Sequence, residues 1–171
     1  MQHTNLSKST RFKSLLAGNP DDWYLFASNA GYGFRVQLRE LATKNRAGKT
    51  LLTLPTGSDV LRPTRVNSDS DQVAVVTLQG RLLVFPISEL PVLSRGKGNK
   101  IIQIPSKDLT AKTDVVISVI ALPEAESLKI LSGKRHLTLR PSDLEHYTSN
   151  RARRGLFLPR GFKRVDGLVV D

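Results

Sequence analysis

One pattern occurs three times along the chain, and it restricts the fold more than any other feature of the sequence. Each copy has two apolar runs around a Gly-containing turn, an acidic residue before Leu, a basic Gly-containing segment, and a short apolar run that stops at Pro. The closing residues Pro55, Pro105 and Pro159 are 50 and 54 residues apart. Self-similarity at this period indicates a repeat architecture, in which equivalent segments of successive repeats line up in space.

The apolar runs predict β-strands. Residues 34–39 alternate apolar and polar side chains, which places the apolar ones on one face of a sheet. Gly80 and Gly133 lie between paired runs, where a tight hairpin needs a positive φ. The Pro that closes each copy cannot donate to a ladder, so it ends a strand. A fourth apolar run follows each Pro, at residues 60–61, 115–120 and 168–170.

Four short strands per repeat are typical of propeller blades, and propeller rings close with roughly 4–8 blades. We therefore predict an all-β fold of propeller-like β-pinwheel blades, each with four antiparallel strands, in a partial or open disk of about three blades. Acidic loops separate the repeats and predict blades at residues 23–66, 67–122 and 123–171. Residues 1–22 do not complete a repeat, and we interpret them as the tail of a preceding blade or a linker.

The charge balance predicts an acidic partner. The 171 residues carry a formal net charge of +11, and 39% of them are apolar, enough for a buried core. Such an excess of positive charge favours nucleic acid, acidic lipid or acidic protein as a partner. The chain has no Cys, which excludes disulfides and thiolate metal sites. Without an apolar leader or a run long enough to cross a membrane, it is expected to be soluble and cytoplasmic.

The basic residues cluster at one position in each repeat. We name these clusters the first (residues 44–49), second (95–100) and third (151–155) basic segments. Interleaved Gly lets a backbone approach a phosphate closely, and Arg side chains match phosphate oxygens through paired hydrogen bonds. Solvated loops that only keep the protein soluble are the alternative for one segment alone. Three segments in register favour binding to a phosphate backbone, through Lys44, Arg46, Lys49, Arg95, Lys97, Lys100, Arg151, Arg153 and Arg154, with Arg160, Lys163 and Arg164 beyond them.

Other motifs do not support a nucleotide or metal site. Gly48-Lys49-Thr50 imitates the end of a P-loop, but Thr43 stands where that motif needs Gly, and a strand rather than a helix is predicted afterwards. The three His residues lack metal-ligand spacing with a third partner. They are His3, His136 and His146.

Two further groups are better explained by folding than by chemistry. Ser142, Asp143 and His146 lie close in sequence, but a triad is recognised by geometry, and 142–145 is typical of a capped helical turn, as is 88–90. The aromatic residues in 23–26 are expected in the core. Aromatics make up only 6% of the chain, which disfavours single-strand binding by stacking.

Several longer phrases carry a family resemblance. Residues 26–34, 45–49, 93–102 and 133–141 resemble the C-terminal domain of the A subunit of bacterial DNA topoisomerase IV, which is part of the gyrase A C-terminal domain family. The resemblance covers roughly residues 23–171. It implies a β-pinwheel whose blades exchange strands and whose positive rim binds duplex DNA. Residues 94–98 are a shortened version of the box that gyrase uses for tight wrapping, which favours topoisomerase IV.

The resemblance also implies a role without catalysis by this chain alone. Tyr147 follows His146, whereas the strand-cutting Tyr of the family follows Arg in a winged-helix domain. We expect no cofactor here, because ATP and Mg serve the parent enzyme through other domains or subunits. The expected partners are double-stranded DNA, the remainder of the topoisomerase IV polypeptide and its ATPase subunit, at the bacterial nucleoid. The expected role is to help select the transported segment by its topology, in supercoiling control and chromosome segregation, and Lys134 and Arg135 join the expected DNA contacts.

Two other functions stay open at this point. The first is a β-propeller-like scaffold that binds acidic protein partners. The second is a basic RNA-binding β protein. Competition between duplex DNA, an acidic protein and A-form RNA separates them.

Overall fold

Three antiparallel sheets make up the computed structural model. It describes residues 13–171. Part of the predicted 1–22 tail, together with His3, therefore lies outside the described residues. The all-β, propeller-like prediction is confirmed. Within residues 13–171, two of the sheets have the four strands expected for a blade, and the third has three. The strands are β1 (Trp23–Ala27), β2 (Tyr32–Gln37), β3 (Thr64–Val66), β4 (Gln72–Thr77), β5 (Arg81–Pro86), β6 (Asn99–Lys100), β7 (Val116–Leu122), β8 (Leu128–Ser132), β9 (Arg135–Leu139), β10 (Leu156–Phe157) and β11 (Gly167–Val170). Two short helices, α1 (Ser106–Ala111) and α2 (Pro141–Leu144), accompany 3-10 turns at Leu38–Leu41, Ile87–Glu89 and Glu145–Tyr147.

Each sheet is built on one predicted hairpin and is completed from elsewhere in the chain. The sheet orders are β3-β1-β2-β6, β10-β5-β4-β7 and β11-β8-β9. The outer strand β6 comes from the second repeat but pairs with β2 of the first sheet. In the same way, β10 comes from the third repeat and pairs with β5 of the second sheet. Neighbouring sheets are therefore joined by exchanged strands, while the division of the chain at residues 67 and 123 stays a prediction about its repeats.

Glycine makes each exchange possible. Gly98 and Gly155 precede the two exchanged strands. Their φ angles are 83° and 73°, which residues with a side chain rarely adopt. A Cβ on Gly98 would lie 2.3 Å from the Gly33 carbonyl oxygen, and one on Gly155 would lie 2.7 Å from the Leu82 carbonyl oxygen. Directly after each exchanged strand, the backbone donates to a hairpin glycine of the acceptor sheet, from Ile101 N to Gly31 O at 2.7 Å and from Leu158 N to Gly80 O at 2.8 Å.

The second sheet is buried on both faces, as the middle blade of a stack should be. On β4, Val73 and Val75 pack with Leu25 of the first sheet. The alternate residues Ala74 and Val76 pack with strands and loops of the third sheet. Strands β3, β7 and β11, one from each sheet, contact one another in that sequence and form the inner side of an open arc.

The outer face of the first sheet has its own cover. Tyr24, Phe26 and Phe34 pack there, and the loop residues Leu51 and Leu52 close over them. The rings of Phe26 and Phe34 stack with centroids 6.2 Å apart. These aromatics therefore belong to the core, as the sequence predicts.

Four local predictions were wrong. The apolar run 101–104 forms no strand, because the strand before Pro105 is β6, and Ile101, Ile102 and Ile104 are buried in the core instead. Residues 51–55 form no strand, and only Leu52 makes an isolated bridge, because Leu51 and Leu52 turn inward to cover the first sheet. The fourth strand of the first sheet is β3 rather than 60–61, where Val60 makes only a bridge. Helix α1 follows Pro105 directly, and the sequence pattern did not predict it.

Candidate nucleic-acid interface

The second and third basic segments are loops that project from the outer edge of a sheet. The chain enters the second segment beside β2, where Leu93 N donates to Arg35 O at 3.0 Å, and leaves it as β6. It enters the third segment beside β5, where Ser149 N donates to Val84 O at 2.9 Å, and leaves it as β10. Both segments therefore bulge outward between two stretches of backbone that are fixed to the same strand.

Backbone hydrogen bonds connect the three segments in series. Gly96 of the second segment donates its N–H to Leu51 O and accepts from Thr53 N, both at 2.9 Å, directly after the first segment. One repeat later, Ala152 N of the third segment donates to Ile101 O at 3.1 Å, directly after the second. These hydrogen bonds fix the second and third segments to the residues that directly follow the first and second segments.

The ionic contacts separate these residues from the other basic side chains. Within residues 13–171, the six ion pairs all use basic residues outside the predicted DNA-binding set: Lys13–Asp59, Arg35–Asp69, Arg39–Asp21, Arg65–Asp22, Lys129–Asp171 and Arg140–Asp143. The fourteen predicted residues make no such pair with a described side chain. All of them are exposed except Lys100 and Arg151, which are half-buried. The charges of these fourteen side chains are therefore not neutralised by ion pairs within residues 13–171.

Some of these side chains are oriented by contacts other than carboxylates. The Lys97 ammonium lies 4.3 Å from the centre of the Tyr32 ring, a cation–π contact across the first exchange. Lys100 Nζ donates to Gln103 Oε1 at 3.0 Å. Lys49 Nζ donates to a carbonyl of the preceding 3-10 turn at 2.5 Å. These contacts fix the ammonium groups while leaving their charge unpaired.

Arg151 is turned inward, unlike its neighbours. Its Nη1 donates to Lys100 O at 2.5 Å, and its backbone N–H donates to a Glu89 carboxylate oxygen at 2.7 Å. Its Nε is buried and has no partner among the described residues. Arg151 therefore links the second and third segments, whereas Arg153 and Arg154 are exposed.

The remaining predicted residues surround the turn of the third hairpin. Lys134 and Arg135 stand at the start of β9, and the Arg135 guanidinium packs against Gly161, where a Cβ would come within 2.7 Å of Nη1. The turn is held by Asp166, whose carboxylate accepts from Gly133 N at 2.5 Å. Arg160, Lys163 and Arg164 are exposed, and the Arg164 carbonyl accepts from the Ser132 hydroxyl beside this turn at 3.1 Å.

The sequence pattern did not predict one basic residue of this edge, Arg81. Its guanidinium stacks 3.8 Å from the centre of the Phe157 ring, and its Nη1 donates to Gly155 O at 3.0 Å. Burial, together with the charge of Arg154, lowers the pKa of Arg81 from its usual value. The available signal was its position directly after the hairpin glycine, equivalent to Tyr32 in the first sheet.

The other motifs of the sequence form neither a P-loop nor a metal-binding group within the described residues. No helix follows Gly48-Lys49-Thr50. Asp143 caps α2, where its carboxylate accepts from Arg140 N at 3.0 Å. Among residues 13–171, no group of three His, Asp or Glu side chains is placed to hold a metal ion, and no helix there is both long and apolar enough to cross a membrane.

Comparison with known proteins agrees with this architecture. Residues 22–67 and 71–123 match the family model described as DNA gyrase C-terminal domain, beta-propeller. The A subunit of DNA topoisomerase 4 from Pseudomonas aeruginosa is 47% identical over 161 residues, which are 94% of this chain and 21% of the relative. The protein of the same name from Escherichia coli strain K12 is 43% identical over 157 residues, which are 92% and 21%.

The solved structure of the E. coli ParC C-terminal domain superimposes with a TM-score of 0.89 at 41% identity, covering 98% of this chain and 67% of that one. The chain spans about a fifth of the length of the curated relatives that it matches. The repeats, the exchanged strands and the family match lead to one assignment. The chain belongs to the DNA gyrase C-terminal domain family, as the resemblance in its sequence predicts.

Proposed function

We propose that this chain is a duplex-DNA-binding and bending module of a type II topoisomerase, within the A subunit of topoisomerase IV. One observation supports the proposal: the second and third basic segments are hydrogen-bonded to the residues that directly follow the preceding segment, and their basic side chains form no ion pair within residues 13–171. We infer that the three segments share one edge. The names of its relatives support the same function. The module binds the phosphate backbone and helps the enzyme to select the segment that it transports.

The binding is electrostatic. Each Lys or Arg that neutralises a phosphate releases condensed counterions, so affinity falls as salt rises. Engagement of about six to ten phosphates lowers affinity by about 10³–10⁵ between 50 and 200 mM salt. Nothing in the edge resembles a recognition helix for the major groove, so base readout is weak.

The bending follows from the curvature of the arc. The segments lie on three successive repeats, and a duplex that touches all of them must follow that edge. Bending a site of 20–30 base pairs by 40–90° costs of order 1–6 kcal/mol, which phosphate contacts on several repeats offset.

We assign DNA cleavage and ATP hydrolysis to other parts of the parent enzyme. This chain needs no cofactor of its own for the proposed role. Its partners are duplex DNA, the rest of the topoisomerase IV polypeptide and the ATPase subunit, at the nucleoid in the bacterial cytoplasm.

A salt titration with matched variants tests the proposal. The variant Arg46→Gln/Arg95→Gln/Arg153→Gln removes one exposed, unpaired charge from each basic segment. Each phosphate that is no longer neutralised should lower the slope of log K against log[salt] by about 0.9, so the slope of the triple variant should fall by about 2.7.

The matched control removes the same charge from arginines that already have acidic partners. Arg39→Gln/Arg65→Gln/Arg140→Gln should keep the wild-type slope, because those guanidinium groups pair with carboxylates. Equal decreases of the slope in both variants would show that only net charge matters, and would refute the basic segments as the DNA-binding surface. Binding of A-form RNA or of an acidic protein with higher affinity than duplex DNA would refute the assignment of the partner.

A further inference from the structure

Three cations surround a cleft that the sequence pattern did not predict, although two of them, Lys163 and Arg164, belong to the predicted DNA-binding set. The cleft lies where the C-terminal end of α1 meets the second hairpin turn and the third repeat, and it has a volume of about 380 Å³. Its lining includes Gln79, Lys112, Thr113, Phe157, Lys163 and Arg164. This volume falls at the lower end of the range of about 300–1,000 Å³ typical of ligand sites.

Two of the three cations hold unusual backbone conformations. Lys112 and Arg164 have φ of 54° and 68°, in the left-handed region that non-glycine residues seldom adopt. Lys112 N donates to Leu109 O at 3.2 Å, at the end of α1. Arg164 N donates to Leu78 O at 3.0 Å, and its carbonyl accepts from the Ser132 hydroxyl at 3.1 Å. Hydrogen bonds from three separate elements thus set the positions of these cations.

The positive charge of the cleft is not neutralised by the described residues. Lys112, Lys163 and Arg164 form no ion pair within residues 13–171. The nearby carboxylates already accept other hydrogen bonds, since Asp114 accepts from Gln79 N at 3.1 Å and Asp108 accepts from the Thr113 hydroxyl at 3.2 Å.

The cleft continues the basic edge across β10. Leu156 lines a separate cleft together with Arg153 and Arg154 of the third basic segment. The next residue, Phe157, lines the cleft with the three cations. Both residues of β10 are exposed, Leu156 by 44% and Phe157 by 53%. A duplex that crosses this strand therefore meets cations on both sides of it.

We propose that Lys112, Lys163 and Arg164 bind backbone phosphate of duplex DNA where it passes from the third basic segment over β10 towards α1. The inference rests on the proposed function and adds Lys112, which follows a helix absent from the sequence prediction, to the interface. The recognised chemistry is a phosphodiester held by three unpaired cations.

The test measures the salt dependence of duplex binding by the 171-residue chain. Lys112→Asn/Lys163→Gln should lower the slope of log K against log[salt] by about 1.8, or about 0.9 for each phosphate that is no longer neutralised. Asn is chosen at 112 because it tolerates the left-handed conformation. Lys163→Gln alone, a change of an exposed side chain, should lower the slope by about 0.9.

The control removes the same two charges outside the cleft. Lys107→Gln/Lys129→Gln changes an exposed lysine on α1 and one already paired with Asp171, and it should keep the wild-type slope. Suppose that Lys112→Asn/Lys163→Gln keeps the wild-type slope while Arg46→Gln/Arg95→Gln/Arg153→Gln shows its expected decrease. That result would overturn phosphate binding by the cleft and leave the proposed function standing. Salt-independent binding by the wild-type chain would overturn both.

A second arm separates DNA from a free phosphate compound. Inorganic phosphate is titrated into the wild-type chain and the cleft variant, and binding is followed by NMR shifts of the Lys112 and Arg164 amides. Duplex DNA should shift both amides at far lower concentration than inorganic phosphate does. Saturation by inorganic phosphate with no response to DNA would assign the cleft to a free phosphate compound and overturn the proposal.

Discussion

Replacing Gly98 by Ala should separate β6 from β2 and loosen the junction between the first two sheets. Two costs act at this position. An L-residue in the left-handed region costs about 1–2 kcal/mol. The new Cβ would also lie 2.3 Å from Gly33 O, a backbone atom that cannot move without breaking the β2–β6 pairing. Loss of two hydrogen bonds at about 0.5–1.5 kcal/mol each brings the expected decrease in the free energy of unfolding to about 2–5 kcal/mol.

Gly48 provides a control at the equivalent place in the first basic segment. Its φ is also 83°, but a Cβ there would have no atom within 4 Å. Gly48→Ala should therefore carry only the conformational cost of about 1–2 kcal/mol. The difference in unfolding free energy between the two variants measures the cost of disturbing the close approach of the two backbones, and should be about 1–3 kcal/mol.

Urea unfolding followed by circular dichroism measures both free energies, and a thermal scan gives an independent value. For a domain of this size, 1 kcal/mol corresponds to a shift in Tm of about 2–4 °C, so Gly98→Ala should melt about 2–12 °C below Gly48→Ala. Equal destabilisation by the two substitutions would refute the tight crossing of backbones at the exchange. Loss of salt-dependent DNA binding in Gly98→Ala with unchanged stability would also contradict this reasoning.

Two further predictions concern buried side chains of the second and third repeats. Leu83 is 1% exposed, so Leu83→Ala should lower the free energy of unfolding in urea by about 2–5 kcal/mol. Leu54 is 39% exposed, so Leu54→Ala should change that free energy by no more than about 0.5 kcal/mol. Equal effects would contradict the burial pattern. Burial, with the nearby carboxylate of Asp143, raises the pKa of Tyr147 above its usual 10.0. The unfolded chain then loses its phenol proton first, so stability should fall as pH rises from 10 through the folded-state pKa, and Tyr147→Phe should flatten that decline in urea melts across alkaline pH. An unchanged alkaline decline in Tyr147→Phe would rule out this cause.

The hairpins could be predicted from the sequence because their signals are local. Each pairs two alternating apolar runs around a glycine, and Gly31, Gly80 and Gly133 all have the positive φ that such turns need. The exchanged strands could not be found this way. Asn99–Lys100 is two polar residues long, and its pairing with β2 depends on contacts far away in the sequence. Helix α1 has only six residues and is followed by Lys112 rather than by a glycine, so its periodicity is too short to detect.

The basic segments could be located from the sequence, but the direction of each side chain could not. Arg151 and Arg153 are two residues apart, yet one turns inward and the other is exposed. Between them Ala152 has φ of 67°, which breaks any regular alternation. Irregular backbone of this kind gives no periodic signal, so only the fold distinguishes an arginine that links two segments from one that is exposed. The grouping of Lys112 with Lys163 and Arg164 likewise depends on tertiary contacts.

Strand exchange also sets the order in which the chain can mature during translation. The outer edge of β2 is complete only when β6, about sixty residues later, has left the ribosome. At about 5–20 residues per second this delay lasts roughly 3–12 s. During that interval β2 exposes an unpaired edge, which is a template for aggregation. Each newly synthesised blade therefore depends on its successor for protection, and a translational pause between residues 37 and 99 should lower the soluble yield.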